Sequence, residues 1–398
     1  QSSRRSRESS KLSRDTRRQG LGHRMKRISL DFNASTPPAP EVVEAMRPFL
    51  SEHFGNPSST HWAGRPARVA VETARSEIAA LLGAKPSEIV FTSGGSEANN
   101  HAIKGVFFRA RARKPHIITS RVEHPAVLEP CKFLEQLGAQ ITLLPVDSTG
   151  MVDPDDVRRA ITRHTVLVTV MQSNNEVGTI EPIAAIAQIA RERGILLHTD
   201  AAQSVGKVAT DMSALGVDLL SVAGHKLYAP KGVGALFIRE GVQLEPLVHG
   251  AGHESGRRAG TENVLLDVAL GAACRLARLD PCGERIRGLR DSFWQQLQDA
   301  FGDGVLLNGH PIERLPDPLN VSFPSKIGQE ILDGLEGVAA STGSACHAGS
   351  HTMSPVLCAM GVKPHVGLGA IRFSLGRSST AAEVAEVVQS LKQMMQCR

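Results

Sequence analysis

Between residues 89 and 238 the chain repeats one phrase: a short run rich in Val, Ile, Leu and Thr, then a turn, then a stretch with helical spacing. The runs are IVFTS, HIITS, QITLLPV, HTVLVTVMQ, ILLHTDAAQ, VDLLSVAG and GVGALFI. GGSEANNHAIKGVFF, a segment near 125–137, DPDDVRRAI and IEPIAAIAQIARERG supply the helices between them. Apolar runs without polar alternation, separated by helices, predict a mostly parallel sheet covered on both faces. Aromatic residues are only 4% of the chain and glycines number 37, which argues against an all-β fold built on aromatic packing.

The flanks read differently. ISLDFNAST is a short strand running into a turn, and Pro37, Pro38 and Pro40 enforce the break. A helix is expected over about 41–52 and another over 63–82. In the second, Val69, Ala70, Ile78, Ala79, Leu81 and Leu82 form an apolar stripe and Gly83 is the stop. After Gly260 the rhythm changes. TENVLLDVALGAACRLARLD is a long helix and 284–300 another, while LPDPLNVSFP and 366–375 read as strands. The last helix opens on Thr380 with Glu383 three residues on, a capping box, and shows an apolar face of Val384, Val387, Val388, Leu391, Met394 and Met395. These features divide the chain into a large domain over 45–275 and a smaller one over 276–395, with 28–44 joining the smaller.

Residues 1–24 carry a net charge of +6 against +5 for the whole chain, so the remainder sums to −1. The basic balance belongs to this tail, and no direct nucleic-acid binding is expected of the fold. The tail lacks apolar periodicity and reads as a non-native or processed segment; an Arg/Ser-rich organelle transit segment is the other reading, with Glu8 and Asp15 against it. No apolar run approaches 18 residues, so no membrane span is expected. The six cysteines form no CxxC and match no metal spacing. They read as reduced thiols of a cytoplasmic protein, or of an organelle matrix if the tail is native. Cys358, in VLCAMG, reads as buried and inert.

Four stretches can carry chemistry. GGSEANN follows a strand and opens a helix, so its amides and the Ser96 hydroxyl can cup a phosphate; read alone, it is equally a plain turn and cap. HTDAAQ ends a strand on Asp200, where open α/β sheets bind ligands, and a carboxylate there can hold a protonated ring nitrogen or simply cap a helix. In SVAGHKLYAPKG, Lys226 sits in a small-residue turn where an amine can lose its proton and form an imine; an exposed lysine is the plainer reading. STGSACHAGSHTMSP places Cys346 among Gly, Ser and His, which suits an exposed thiolate better than a buried structural thiol.

In that order these pieces resemble the pyridoxal-phosphate enzymes of the class-V aminotransferase-like group, and within it the NifS-type cysteine desulfurases and selenocysteine lyases. The resemblance covers about 28–395 and rests on LDFNAST, FGNPSS, TSGGSEANN, VEH, NNEVGTI, HTDAAQ, GHKLYAPKG, RRAGTENV, TGSAC and IRFSLGR. It implies the fold type I of pyridoxal-phosphate-dependent transferases: a large domain with a mostly parallel seven-stranded sheet covered by helices, and a smaller α+β C-terminal domain. It also implies a homodimer using pyridoxal 5'-phosphate. Lys226 would hold that cofactor as an imine and Asp200 would pair with its ring nitrogen. His124 would stack on the ring, Asn175 would position ring edge and substrate, and Gln203 would bond the phenolic oxygen. Ser96, the amide of Glu97 and His225 would hold the phosphate, and Thr261 would reach the phosphate of the neighbouring subunit. Arg372 would bind the substrate carboxylate, with Arg377 a structural residue. Cys346 would take sulfur from L-cysteine as a persulfide, leaving L-alanine, and pass it to an acceptor protein.

The sequence departs from the pattern at three places. Ala223 stands where members that serve iron–sulfur assembly carry a phosphate-binding serine, Ser35 where threonine is frequent, and His347 adjoins Cys346. The stretch from Cys346 to Arg372 matches the long-loop branch. A selenocysteine lyase, giving L-alanine and selenide with the same residues, is the alternative activity. An inactive scaffold for sulfur-acceptor proteins is the alternative outside catalysis.

Overall fold

In the computed structural model, residues 27–110, 114–342 and 352–396 are described. The basic tail, Cys346, His347 and Cys397 therefore lie outside the described residues.

The chain opens with β1 (Ile28–Ser29), α1 (Pro40–Met46) and α2 (Gly64–Leu82). The alternation then unfolds as β2 (Ile89–Thr92), α3 (Gly95–Arg109), β3 (His116–Ser120), α4 (Pro125–Gln136), β4 (Gln140–Leu144), α5 (Pro154–Ala160), β5 (Thr165–Thr169), α6 (Ile183–Glu192), β6 (Leu196–Asp200), α7 (Met212–Leu215), β7 (Leu219–Ala223) and β8 (Gly234–Ile238). The strands β2 to β8 form one seven-stranded sheet in the order β2-β8-β7-β6-β5-β3-β4. Only β8 runs against its neighbours; the pairings from β7 to β4 are all parallel.

Period-2 geometry sorts each strand between two faces. Val90, Ile117, Leu167, Leu219 and Leu236 pack with α3 and α4 on one side. Ile89, Phe91, Ile118, Val168, Leu220 and Phe237 face α2, α6 and a later helix, α8 (Val264–Leu279), on the other. Ala39 and Val42 join that second face. Strands buried on both sides need no polar alternation, which is why the sequence shows none.

After α8 the chain forms α9 (Gly283–Phe301), β9 (Leu306–Leu307), β10 (Pro318–Ser322), α10 (Gly328–Asp333), β11 (Val338–Ala339), α11 (Pro355–Ala359), α12 (Pro364–Gly367), β12 (Ala370–Ser374) and α13 (Ala381–Gln396). A three-stranded antiparallel sheet of β12, β10 and β9 and a parallel β1–β11 pair sit beside α9 and α13. Ile28, Leu30, Phe293, Leu319, Phe373, Val384 and Leu391 close this separate core. The expected capping box opens α13: Thr380 N donates to Glu383 Oε2 at 2.9 Å, and Glu383 N donates to Thr380 Oγ1 at 3.3 Å.

Several expectations are corrected. Helix α1 stops at Met46 and a 3-10 turn follows over Arg47–Leu50, since Pro48 has no amide to continue the ladder. Val69 is not part of the α2 stripe: it is 61% exposed, because it lies two residues from Ala67, about 200° round the helix. Gly83 does end α2, in the left-handed region at φ 65°. Cys358 is exposed, not buried, because α11 turns Val356, Leu357 and Met360 inward. The segment 366–375 yields a strand only over Ala370–Ser374. Among the described residues no helix is long and apolar enough to cross a membrane.

One buried ion pair locks the loop after β8 to the sheet. Arg75 on α2 donates to both oxygens of Glu254, at 2.7 and 2.8 Å, and to the Ile89 carbonyl at 2.9 Å. Glu254 also accepts from Phe91 N at 2.9 Å. Burial disfavours the guanidinium charge, but Glu254 outweighs it and holds the Arg75 pKa above its usual value. Arg75→Met would leave Glu254 buried without its partner. It is expected to cost about 3 kcal/mol, read as a lowered urea midpoint.

Candidate functional site

Parallel strands end their carboxyl termini at one edge, and the loops leaving that edge line a cavity of about 690 Å³. Ser96, Glu97, His124, Asn175, Asp200, Gln203, His225, Lys226 and Arg372 all line it. They arrive from several elements: Ser96 and Glu97 open α3. Asp200 is the last residue of β6, and Lys226 closes a 3-10 turn directly after β7. His124 is the N-cap of α4, and Arg372 comes from β12 of the other sheet. Thr261 is exposed and is not among the lining residues.

Asp200 is 6% exposed. Its Oδ1 accepts from Ala202 N at 2.9 Å and its Oδ2 from Asn99 Nδ2 at 2.7 Å. Lys226 Nζ donates to the Ala34 carbonyl at 2.9 Å and also to that of Asn33. Burial, then the nearby cations Lys207 and Arg372, bring the Lys226 pKa down to about 8. Burial also brings His225 down to about 4, helped by Lys226, so its ring is neutral at physiological pH. His124 Nδ1 accepts from Ala126 N at 3.1 Å, which leaves the ring proton on Nε2. Arg372 is held by Asp31 Oδ1 and the Asn175 carbonyl, both at 2.9 Å, while its Nε is buried with no partner. Arg377 turns away: it pairs with Asp280 and takes the Tyr228 hydroxyl on its backbone amide.

The start of α3 is shaped for close approach. Gly94 has φ 151° and little else would fit its conformation. A Cβ on Gly234 of β8 would lie 2.7 Å from Gly94 Cα, so strand and turn touch backbone to backbone. A Cβ on Gly95 would lie 3.1 Å from that of Ala223, so Ala223 faces the helix start. The first-turn amides of a helix have no intrahelical partner, and they form an anion cup with Ser96. Glu97 is turned out of that cup. Burial works against its charge, yet Arg258 at 2.9 Å and the Ser93 amide at 2.8 Å keep its pKa below the usual value.

Pyridoxal phosphate is a planar cation-bearing ring with an anionic phosphate, and this donor set fits it. The cup would meet the phosphate, and Asp200 would be an acceptor for the ring nitrogen. His225 Nδ1, in the wall, is buried without a partner.

The sequence motifs passed over three residues of this network. Asn33 donates its Nδ2 to the Asn175 carbonyl at 3.2 Å, Asn99 holds Asp200, and Lys207 bonds both Asn33 and Gln203. Asn33 and Asn99 stand inside LDFNAST and TSGGSEANN, and Lys207 follows Gln203 by four residues, a spacing that returns a turn to the same side.

Fold and cleft together define an α/β protein with a small-molecule site at the carboxyl ends of its parallel strands. A family model described as aminotransferase class-V matches residues 28–387. The chain is 50% identical over 377 residues to "Cysteine desulfurase IscS" of Dictyoglomus turgidum, covering 94% of this chain and 95% of that one. It is 46% identical over 379 residues to "Cysteine desulfurase IscS" of Methanosarcina thermophila, covering 93% and 92%. Among solved structures, a "NifS-like protein" matches with TM-score 0.87 at 35% identity, over 94% of this chain and 100% of that one. "SspA in complex with cysteine" matches with TM-score 0.79 at 38% identity, over 88% and 99%. The chain belongs to the class-V aminotransferase family, in its NifS-type cysteine desulfurase branch.

The lowered Lys226 pKa has a measurable consequence. Its amine becomes neutral at lower pH than an ordinary lysine, so labelling by an acylating reagent in the cofactor-stripped protein should be half-maximal near pH 8. Lys85, which an exposed hydrogen bond with Glu240 shifts the other way, should label only above the usual lysine range. Peptide mass spectrometry reads both sites, and identical profiles would contradict the assignment.

Proposed function

We propose that this protein is a cysteine desulfurase that removes sulfur from L-cysteine with pyridoxal 5'-phosphate, releases L-alanine and carries the sulfur as a persulfide on Cys346. The observation that supports it best is Lys226 and Asp200 lining one cavity beside an anion cup, with Arg372 entering from the other sheet. Ser96, the Glu97 amide and His225 hold the phosphate, Asp200 the ring nitrogen, Gln203 the ring oxygen, and His124 and Asn175 the ring's face and edge. When bound, the cofactor supplies an electron sink for the carbanion left when the substrate loses its α proton.

Arg372 orients the substrate by its carboxylate, a role that suits a planar fork. Lys226, with its lowered pKa, accepts the α proton near neutral pH and returns it. The Cys346 thiolate then attacks the substrate sulfur. The S–S bond forms as the C–S bond breaks, its electron pair stays on the substrate's β carbon, and that carbon takes up a proton so that the three-carbon product leaves as alanine. Ser341 lines the cavity and its amide donates to the Arg372 carbonyl at 3.1 Å. Cys346 follows Thr342 by four residues, a reach of about 13 Å when extended. Thr261 completes the cup of a second subunit in a homodimer, and an acceptor protein collects the persulfide.

Cys346→Ala is expected to abolish persulfide formation, measured by thiol-labelling mass spectrometry after mixing with L-cysteine. Alanine release at the parental rate would overturn the assignment of Cys346. Ala223→Ser would place a hydroxyl toward the start of α3. It should tighten cofactor binding by about 0.5–1.5 kcal/mol, seen as slower cofactor loss on dialysis.

A further inference from the structure

Beneath the floor of the cavity, the Lys207 ammonium donates to three oxygens: Asn33 Oδ1 at 3.0 Å, Gln203 Oε1 at 3.1 Å and Asp317 Oδ2 at 2.6 Å. The lysine side chain is 14% exposed and that of Asp317 3%. An ammonium has three N–H donors and no acceptor, so these oxygens use its whole capacity. The arrangement decides which way two carboxamides point. A Gln203 amide turned end for end would set its NH2 against the ammonium, donor against donor. With Oε1 held by Lys207, Nε2 faces the Asn33 carbonyl at 3.1 Å and the cavity that Gln203 lines. The same logic fixes Asn33. Its Oδ1 faces Lys207 and its Nδ2 the Asn175 carbonyl, which also receives Arg372 at 2.9 Å.

We propose that Lys207 is a positioning residue for the cofactor: by holding Gln203 Oε1 it makes Gln203 a donor only toward the cofactor's ring oxygen, and so favours that oxygen in its anionic form. The inference rests on the reading that pyridoxal phosphate binds here with its ring oxygen toward Gln203. Lys207 also adds a positive charge to the surroundings of Lys226. The other charged or titratable groups around Lys226 are Arg372, Asp31, Asp200, His225, His124 and Lys231. None of these besides Lys207 bonds Gln203 among the described residues.

The sign of the effect follows. With pyridoxal phosphate held as proposed, the Lys226 nitrogen and the ring oxygen would share a proton. Removing a nearby cation, and freeing the amide to stop donating to that oxygen, both hold the proton more tightly. It is then lost at higher pH.

The test is a pH titration of the visible absorbance of the holoenzyme. In Lys207→Met the midpoint should rise by about one pH unit, and in Lys207→Arg, which keeps the charge and offers only donors, it should stay close to the parent. Lys207→Met leaves Asp317 buried without its partner, so the variant can fail to fold. The double variant Lys207→Met/Asp317→Asn removes both charges of the pair, so the freed Gln203 amide is left as the main change, and it should still show a rise, smaller than that of the single variant. A parental midpoint in the double variant overturns the proposal, because any rise in the single variant would then come from the unpaired Asp317. If the parent shows no visible band, or Lys226→Ala keeps it, the cofactor reading fails and takes the inference with it. If the band depends on Lys226 and the midpoint is indifferent to Lys207, only the inference fails.

Discussion

Parallel pairing is the constraint on which the rest depends. From β7 to β4 every strand in the sheet runs the same way, so their carboxyl ends share one edge. Each connection back must cross a face of the sheet, and the helices that do so bury both sides. The loops at the carboxyl edge are free of that packing and carry the polar side chains of the cavity. Asp200 and Lys226 thus become neighbours through strand order and not through sequence proximity: β6 pairs directly with β7, in the register Asp200↔Ser221. The second core adds what one sheet cannot supply. Arg372 reaches the cavity from β12, and the segment at Asn33 and Ala34 runs between the two cores to meet Lys226.

Much of this was legible in the sequence because it is periodic or because it is a motif. The seven strand runs and their intervening helices follow from apolar patterning, and Thr380 with Glu383 announced the start of α13. What escaped has physical reasons. Strands of two residues, such as β9 and β11, have no period to detect and are made by pairing partners far away in the chain. Val69 and Cys358 were misjudged because apolar neighbours suggest burial, whereas helix rotation decides it. Lys207 was invisible for a different reason. A lysine reads as a surface residue until Asp317, distant in sequence, is seen to compensate its charge.

The electrostatics of the cavity are set first by burial and then by the proximity of like charges. Lys226, Lys207 and Arg372 are close enough that the first is held below the lysine range, while Asp31, Asp200 and Asp317 keep the ensemble from repelling itself apart. His225, kept neutral by burial and by the nearby Lys226 and Lys231, can serve as a hydrogen-bonding wall without adding to the crowd.

The contact between Gly94 and Gly234 reaches further than local packing. The only antiparallel strand of the large sheet presses on the turn that launches α3, with no side chain between them as a cushion. An evolving lineage therefore has little freedom to change the shape of the anion cup by drift at one position. A side chain on Gly234 would run into the backbone of Gly94 and one on Gly95 would press on Ala223, while Gly94 itself is held by its φ of 151°, with open space where a Cβ would stand. Ala223 stands apart from these glycines: its side chain faces the helix start, so the wall can gain a hydroxyl there with the backbone left in place.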